Sequence, residues 1–267
     1  RKDQHRWVVV APEVNRDYRR LWNGILKKYP EYHIELQLLD RCASRLAGIL
    51  TGKEDPLSHI FSKSSPAVEQ FYRNSPTLRI YNALVQRTIG QIIDALPKER
   101  TLRIVEIGAG TGSLTSCLLP ILPANRTQYI FTDISGSFTM QAQQRFQAYD
   151  FVEYRPLDIE KEPSAQGFDP HSFDIVLASD AIHATSRLRD TLANVMTLVA
   201  PSGLLLFIEQ MKPTRWFDLV FGLLGGWWLF SDFDIRPDYP LMPMSGWKKL
   251  LGEAGLTDIA FLPSAEE

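Results

Sequence analysis

Cysteine is scarce in this sequence, since only Cys42 and Cys117 occur among its 267 residues. Two cysteines cannot build the disulfide framework of a small secreted domain, and their separation does not match a zinc site. We therefore expect a protein of the reducing cytoplasm in which no residue binds a metal. The longest apolar stretch, residues 216–230, contains Asp218 and is too short to cross a bilayer, so we expect no membrane partner.

An excess of charge is also missing, because 29 lysines and arginines stand against 31 aspartates and glutamates, for a net charge of −2. Nucleic-acid-binding domains usually carry clustered positive charge, so we expect no nucleic-acid partner. A hydrophobic content of 45% and a charged content of 22% are ordinary for a globular chain. An initial methionine is absent too, which indicates a piece of a longer polypeptide or a processed chain.

Three glycines alternate with other residues in the stretch Glu106-Ile-Gly-Ala-Gly-Thr-Gly112. The apolar residues before them predict a buried parallel strand, and the residues from Ser113 onward predict a helix. Glycine adopts positive φ and has no Cβ, so a ligand can approach the backbone of such a turn closely. The dinucleotide fingerprint would need another glycine where Ser113 stands. A tight turn without a ligand is therefore the alternative interpretation.

A second apolar strand ends at Asp133, about twenty residues after the glycines. A carboxylate at this place can bind the two ribose hydroxyls of an adenosine-containing ligand. The acid thus favours a nucleotide-type ligand over an empty turn.

Strands and helices alternate from about residue 101 onward, which is typical of a doubly wound parallel sheet. Strands are predicted at 103–107, 128–132, 152–155, 173–178, 204–208 and 258–262. Residues 1–98 have helical periodicity instead, with helices near 14–29, 36–50, 67–74 and 77–96 and a polar turn at 62–66. The predicted fold is α/β, with a Rossmann-like core at residues 99–267 behind a mostly helical N-terminal subdomain at residues 1–98.

Seven aromatic residues fall between Trp216 and Phe233, with glycines among them. A long insertion without regular structure is uncommon inside a compact core and is more often a lid. We predict a lid at about residues 213–244, with a membrane-surface helix or a core helix as the alternative.

His183 and Glu209 follow the predicted strands 173–178 and 204–208. Ligands and chemistry gather at the carboxyl ends of parallel strands, so the two side chains converge if these strands are neighbours. A carboxylate bonded to one imidazole nitrogen fixes the tautomer and makes the other nitrogen a general base. Taken singly, His183 could be a loop histidine bonded to backbone, and Lys212 could neutralise Glu209.

The glycine stretch and Asp133 together resemble the class I S-adenosylmethionine-dependent methyltransferases. Three further segments resemble the C-methyltransferase domains of polyketide synthases: Phe71-Tyr-Arg-Asn-Ser-Pro76, Asp180-Ala-Ile-His-Ala-Thr185 with Leu188-Arg-Asp-Thr-Leu192, and Trp227-Trp-Leu-Phe230 with Arg236-Pro237. The resemblance extends from about Asp55 to Leu262.

The resemblance implies a set of site residues. His183 and Glu209 would form the catalytic base, and Tyr72 would reach into the site, although a core aromatic is the alternative for Tyr72. The residues implied to bind S-adenosylmethionine are Glu106, Gly108, Ala109, Gly110, Gly112, Asp133, Ile134, Asp158, Ile159 and Ser179.

The resemblance also implies a reaction. An acyl carrier protein would present a β-ketoacyl chain on phosphopantetheine, beside the neighbouring domains of a polyketide synthase that makes a secondary metabolite. His183 would remove the α-proton, and the α-carbon would take the methyl group, leaving S-adenosylhomocysteine. Two alternatives stay open here: a free-standing O- or N-methyltransferase of small molecules, and an inactive methyltransferase-like scaffold domain.

Overall fold

The computed structural model of the chain describes residues 2–3, 6–7, 17–61 and 67–262. Two short strands, β1 (Lys2–Asp3) and β2 (Arg6–Trp7), pair antiparallel. Five helices follow: α1 (Tyr18–Lys28), α2 (His33–Leu50), α3 (Pro56–Ile60), α4 (Ala67–Asn74) and α5 (Pro76–Ala95). The predicted helices of this part are confirmed where they fall on described residues. The first residues of the predicted helix 14–29 and the predicted turn 62–66 lie outside them.

Helix α5 packs on the sheet through a stripe that apolar periodicity predicts only in part. The periodicity of residues 77–96 predicts a buried side formed by Ile80, Leu84, Ile89, Ile92 and Ile93. Ile89 is buried, and Ile92 and Ile93 are half-buried, as predicted. Ile80 and Leu84 are exposed, whereas Asn82 and Val85 are buried instead. Asn82 is satisfied there because its Nδ2 donates a hydrogen bond to Ser113 Oγ at 3.1 Å. The prediction was wrong at Ile80 and Leu84 because a polar residue belongs to the buried stripe.

The core is a five-stranded parallel sheet, as predicted for an α/β doubly wound fold. Its strands are β3 (Leu102–Ile107), β4 (Thr127–Asp133), β5 (Val152–Pro156), β6 (Phe173–Ser179) and β7 (Val199–Ile208), in the order β5-β4-β3-β6-β7. Alternate residues of a strand point to opposite faces. Accordingly Ile104 joins the hydrophobic cluster on one face, whereas Val105 joins the cluster on the other.

Helices cover both faces of this sheet. Helix α5 contributes to one cluster together with α6 (Ser113–Leu118) and α7 (Gly136–Arg145), whereas α8 (Leu188–Leu198) and α10 (Met244–Glu253) contribute to the other. The carboxyl ends of β3, β4, β5, β6 and β7 therefore meet at one edge that the helices leave open.

The predicted strand 258–262 is wrong, since residues 256–262 contain no strand. Ile259 and Phe261 pack against the cluster that contains α8 and α10. Their alternation therefore reflects burial of one face without a hydrogen-bonded ladder.

Residues 213–244 form what we call the aromatic segment. It contains a short helix, α9 (Arg215–Asp218), and 3₁₀ turns at Phe221–Leu223 and Gly225–Trp228. Phe217, Val220 and Phe221 share a hydrophobic cluster with residues of α2 and α4. The segment is therefore anchored on the N-terminal helices. Among the described residues, no helix has the length and apolar character needed to cross a membrane.

Candidate active site

The turn between β3 and α6 depends on its glycines. Gly108, Gly110 and Gly112 have φ values of 59°, 53° and 69°, in the left-handed region that other residues rarely adopt. A Cβ on Gly108 would lie 2.7 Å from Cβ of Ala181, and a Cβ on Gly112 would lie 2.7 Å from Phe146. The turn therefore packs directly against Ala181, which follows β6, and against Phe146, which follows α7.

Asp133, at the end of β4, holds the same turn by hydrogen bonds. Its Oδ2 accepts from the backbone N–H of Gly110 at 2.9 Å, and its Oδ1 accepts from that of Ser135 at 2.8 Å. Burial raises the pKa of Asp133, while the two N–H donors oppose the rise. The next residue, Ile134, is 71% exposed. A carboxylate and an exposed apolar side chain are therefore adjacent at the end of β4.

Asp158 lies beyond β5, the neighbour of β4. The backbone N–H of Leu157 donates to Asp133 O at 3.2 Å, which ties the two strand ends together. Asp158 accepts from the N–H of Glu160 at 3.1 Å and pairs with Lys161 at 3.0 Å. Beside it, Ile159 is buried.

The remaining predicted cofactor ligands lie on or next to β3 and β6. Ala109, within the glycine turn, donates its N–H to Thr132 O at 2.8 Å. Ser179 is the last residue of β6, one position beyond the pair formed by Ile107 of β3 and Ala178 of β6. The structure therefore brings these predicted residues to the same open edge.

Glu106 is held inside the fold. Its Oε2 accepts hydrogen bonds from the hydroxyl of Thr115 at 2.5 Å and from the hydroxyl of Tyr129. Burial raises the pKa of Glu106 to about 7, although both hydroxyl donors oppose this rise. Its role as a direct cofactor ligand stays a prediction, since both of these partners belong to the core.

His183 and Glu209 form a buried, hydrogen-bonded pair. Strands β6 and β7 are neighbours, as expected, and the two side chains meet at their ends. Nδ1 of His183 lies 2.5 Å from Oε2 of Glu209, and Oε1 of Glu209 accepts from the backbone N–H groups of Ile182 at 2.8 Å and His183 at 3.3 Å. The side chains of His183 and Glu209 are only 6% and 2% exposed.

This arrangement assigns the histidine tautomer. A carboxylate only accepts hydrogen bonds, so in the neutral form of His183 Nδ1 carries the proton and Nε2 presents a lone pair. Burial is the largest single influence and lowers the pKa of His183, but the charge and hydrogen bond of Glu209 and the charge of Asp180 together raise it, so the pKa lies above its ordinary value. The pair therefore has the chemistry of a general base beside a glycine turn.

Comparisons with known proteins show which family this chain resembles in sequence and in structure. The family model described as "Methyltransferase domain" matches residues 105–205. The non-reducing polyketide synthase ausA of Emericella nidulans is 41% identical over 219 residues, which are 79% of this chain and 9% of that protein. The CurJ carbon methyltransferase is 43% identical with a TM-score of 0.89, over 94% of this chain and 67% of that one. The citrinin polyketide synthase CMeT domain is 33% identical with a TM-score of 0.85, over 93% of this chain and 65% of that one.

The chain belongs to the carbon methyltransferase domains of polyketide synthases. Such a domain is a methyltransferase with a class I, Rossmann-like fold. The chain spans about a tenth of the length of the curated synthases that it matches.

Tyr72 of this carbon methyltransferase domain lies where the N-terminal helices meet the site. Ser113, the first residue after the glycine turn, donates its hydroxyl to Tyr72 O at 2.5 Å. Burial, together with the charges of Asp180 and Glu209, raises the pKa of Tyr72, so its hydroxyl stays neutral over the ordinary pH range. The predicted catalytic residues Tyr72, His183 and Glu209 therefore share one neighbourhood.

Asp180 is a residue of this neighbourhood that sequence reasoning did not assign. It follows β6 with a φ of 50°, and its N–H donates to Ile208 O at 2.8 Å. Burial and the charge of Glu209 raise the pKa of Asp180 to about 6. The available signal was its position, an acid directly after a core strand.

Asp180, His183 and Glu209 each offer a polar atom within 4.8 Å of the others. Three such groups could hold a metal ion, but His183 and Glu209 already share a proton through a direct hydrogen bond. The three residues therefore form a cluster of groups that can exchange protons, which we call the acid–base machinery.

The aromatic segment covers this machinery. Trp227 packs edge-on against the imidazole of His183, with 5.3 Å between ring centroids, and also contacts Phe217 at 5.3 Å. Phe217 in turn packs on Phe221 at 4.4 Å. A wall of aromatic rings therefore separates His183 from solvent on this side.

Proposed function

We propose that this domain methylates the α-carbon of a β-ketoacyl thioester that an acyl carrier protein presents, with S-adenosylmethionine as the methyl donor. The observation that carries the proposal is the buried His183–Glu209 hydrogen bond beside the glycine turn. Transfer of a methyl group to carbon needs prior removal of a proton, and a positioned base supplies that step.

The residues at the open edge fit the cofactor. The left-handed turn at Gly108 and Gly110 leaves the backbone accessible, and Asp133 is the acid that can bind the ribose hydroxyls. The exposed side chain of Ile134 is an apolar surface that the adenine ring can cover. Asp158 stands at the next strand end for the adenine amino group.

The remaining proposed cofactor ligands lie around these residues. Ala109 and Gly112 shape the turn, Ile159 follows β5, and Ser179 ends β6. Glu106 lies at the end of β3, just before the turn, and is bonded to Thr115 of α6. When bound, S-adenosylmethionine supplies an electrophilic methyl group on its sulfonium, and S-adenosylhomocysteine remains.

His183 takes the α-proton in this proposal. Its Nε2 lone pair has no hydrogen-bond partner among the described residues, whereas Nδ1 is bonded to Glu209. The proton moves from the α-carbon to Nε2 and leaves an enolate on the substrate. Glu209 stabilises the imidazolium that forms, because the two charges are adjacent and shielded from water.

Tyr72 positions the substrate. Its neutral hydroxyl is a hydrogen-bond donor, and the carbonyl oxygens of a β-ketoacyl thioester are acceptors. A donor at the carbonyl stabilises the negative charge that develops when the α-proton leaves.

The aromatic segment acts as a lid in the proposal. Trp227 and Phe217 shield His183, so closure over the substrate would keep water from the enolate. Because the related synthases are far longer than this chain, the carrier protein and the neighbouring synthase domains are proposed partners.

Intact-mass analysis of a loaded carrier protein tests the proposal. A carrier with a β-ketoacyl chain should gain one methylene in mass on incubation with the domain and S-adenosylmethionine. A carrier with the matching saturated chain should not, because its α-proton is far less acidic. Methylation of phenols or amines alone would favour an O- or N-methyltransferase. No reaction and no cofactor binding would favour an inactive scaffold.

A further inference from the structure

The aromatic segment contains an arginine that is almost completely buried. Arg236 is 1% exposed, and its guanidinium pairs with Asp232 at 2.7 Å. Its two terminal nitrogens donate to backbone carbonyls at distances of 2.7 to 3.3 Å; the acceptors are His183 O, Pro240 O, Thr185 O and Ser186 O. Every nitrogen of the guanidinium is thus used, and three of the acceptors belong to residues 183–186.

The counterion of Arg236 extends the same attachment. The other oxygen of Asp232 accepts from the N–H of Leu188 at 2.8 Å, at the start of α8. Ser231 donates its N–H to Ser186 O at 2.8 Å. Residues 231–236 therefore bind the backbone of the loop 183–188, which carries His183, at several points.

A buried ion pair of this kind is weak evidence for stability, because desolvation offsets much of the attraction. A planar fork of five donors is instead suited to fixing a particular backbone geometry, which the single ammonium of lysine cannot reproduce. Glu209 holds His183 from the sheet, and Arg236 holds the carbonyl of the same residue from the aromatic segment.

We propose that Arg236 is a positioning residue for the methylation reaction: it fixes the backbone of His183 so that Nε2 is aimed at the substrate. The proposal rests on the proposed function, since it gives His183 the role of base. It also makes the aromatic segment part of the catalytic geometry as well as a cover.

The charge of Arg236 has a second effect on His183. Three titratable groups act on the imidazole: Glu209 after β7, Asp180 after β6 and Arg236 from the aromatic segment. Tyr72 of α4 lies near Asp180 and Glu209 and stays neutral. The two carboxylates raise the pKa of His183, and Arg236 lowers it. Loss of the guanidinium charge should therefore raise this pKa further and reduce the fraction of free base at neutral pH.

Two substitutions separate geometry from charge. Arg236→Lys keeps a positive charge but loses the fork, and Arg236→Met loses both. Arg189→Met is a matched control, because Arg189 is an exposed arginine that pairs with Asp234 of the same segment at 2.5 Å. The readouts are kcat and KM on the loaded carrier, the Kd for S-adenosylhomocysteine, and the pH dependence of kcat.

Arg236→Lys should lower kcat by roughly 10²-fold, as a misplaced reactive group does, with KM and cofactor Kd near wild type. In the pH profile of kcat, the fall in rate on the acid side should occur at the wild-type pH for Arg236→Lys. For Arg236→Met the same fall should occur at higher pH. Arg189→Met should match wild type. Wild-type kcat in Arg236→Lys, or parallel losses of kcat and cofactor affinity, would overturn the proposal. If Arg236→Met does not fold, Arg236→Lys alone tests the proposal, because a lower kcat with an unchanged KM supports it and a wild-type kcat overturns it.

A measurement without turnover separates this proposal from the proposed function. Magnetic resonance of isotope-labelled histidine, with His183→Ala to identify the signal, reports the pKa and tautomer of His183. Arg236→Met should raise that pKa even if the domain methylates no β-ketoacyl carrier. An unchanged pKa refutes the electrostatic part, whereas an inactive wild type refutes the proposed function.

Discussion

Replacement of Glu209 by glutamine should disable the base while leaving its shape intact. Oε1 of Glu209 accepts from the N–H groups of Ile182 and His183, and Oε2 accepts from Nδ1 of His183. A glutamine must place its oxygen toward the two N–H donors, so its amide NH₂ faces Nδ1. Because an amide NH₂ only donates, Nδ1 becomes an acceptor and the histidine proton moves to Nε2.

The size of the loss follows from this change of tautomer. Nε2 of His183 then carries a proton and cannot accept one from the substrate. General-base catalysis contributes about 10²- to 10⁴-fold, and the equivalent aspartate-to-asparagine change in a serine protease triad costs about 10⁴-fold. We expect kcat of Glu209→Gln to fall by about 10³-fold, or about 4 kcal/mol of transition-state stabilisation.

Single-turnover methylation of a β-ketoacyl carrier, followed by intact mass, measures this loss. The Kd for S-adenosylhomocysteine should stay near wild type, which shows that the fold is retained. Glu160→Gln is a matched control, since Glu160 accepts from the N–H of Ser186 in the same loop without contacting His183. Near-normal turnover by Glu209→Gln would refute the tautomer argument and the dyad with it.

Three further predictions address the cofactor turn, the core and the second acid. Gly108→Ala should bind S-adenosylhomocysteine more weakly in calorimetry, because a side chain at a φ of 59° is strained and its Cβ would lie 2.7 Å from Ala181. Gly136→Ala is the control: a Cβ there meets open space, so this variant should bind normally. Glu106 has a pKa of about 7 in the folded state against 4.5 for the free group, so it binds its proton more tightly when folded; its stabilising contribution is present below pH 4.5 and is lost as pH rises to about 7. This loss amounts to about 3 kcal/mol, and Glu106→Gln should flatten the free energy of unfolding over that window in urea titrations; an unflattened profile would contradict the assignment. Asp180→Asn should lower the pKa of His183, because Asp180 raises it, and should move the acid limb of kcat to lower pH; a limb that stays in place or moves upward would contradict this.

Local pattern was enough to predict the sheet and the pairing of His183 with Glu209. Buried strands such as β6 contain continuous apolar runs, here Ile175–Ala178, and the parallel order follows from the alternation with helices. Because β6 and β7 are neighbours, residues placed at their ends meet without further information. His183 and Glu209 could be paired from sequence for this reason.

Residues whose roles depend on distant backbone could not be predicted. Arg236 donates a hydrogen bond to the backbone carbonyl of His183, 53 positions away in the sequence. Every residue has a backbone carbonyl, so the type of residue at the acceptor position does not indicate such a bond. Asp180 acquires its raised pKa only from burial beside Glu209. Both facts belong to tertiary packing.

Burial patterns also misled where they were taken as secondary structure. Residues 258–262 alternate like a strand, but Ile259 and Phe261 are partly buried against the core without ladder partners. On α5, Asn82 occupies the buried stripe because Ser113 satisfies it, and periodicity counts only apolar residues. In each case the missing information was a partner from elsewhere in the chain.

The most direct test of the central claim is methylation of a β-ketoacyl carrier by the wild type and by His183→Ala, with the methyl position assigned by fragmentation in the mass spectrometer. We predict a methyl group on the α-carbon with the wild type, and no methylation with His183→Ala although the variant still binds S-adenosylhomocysteine. Near-normal turnover by His183→Ala, or a methyl group on oxygen, would contradict it.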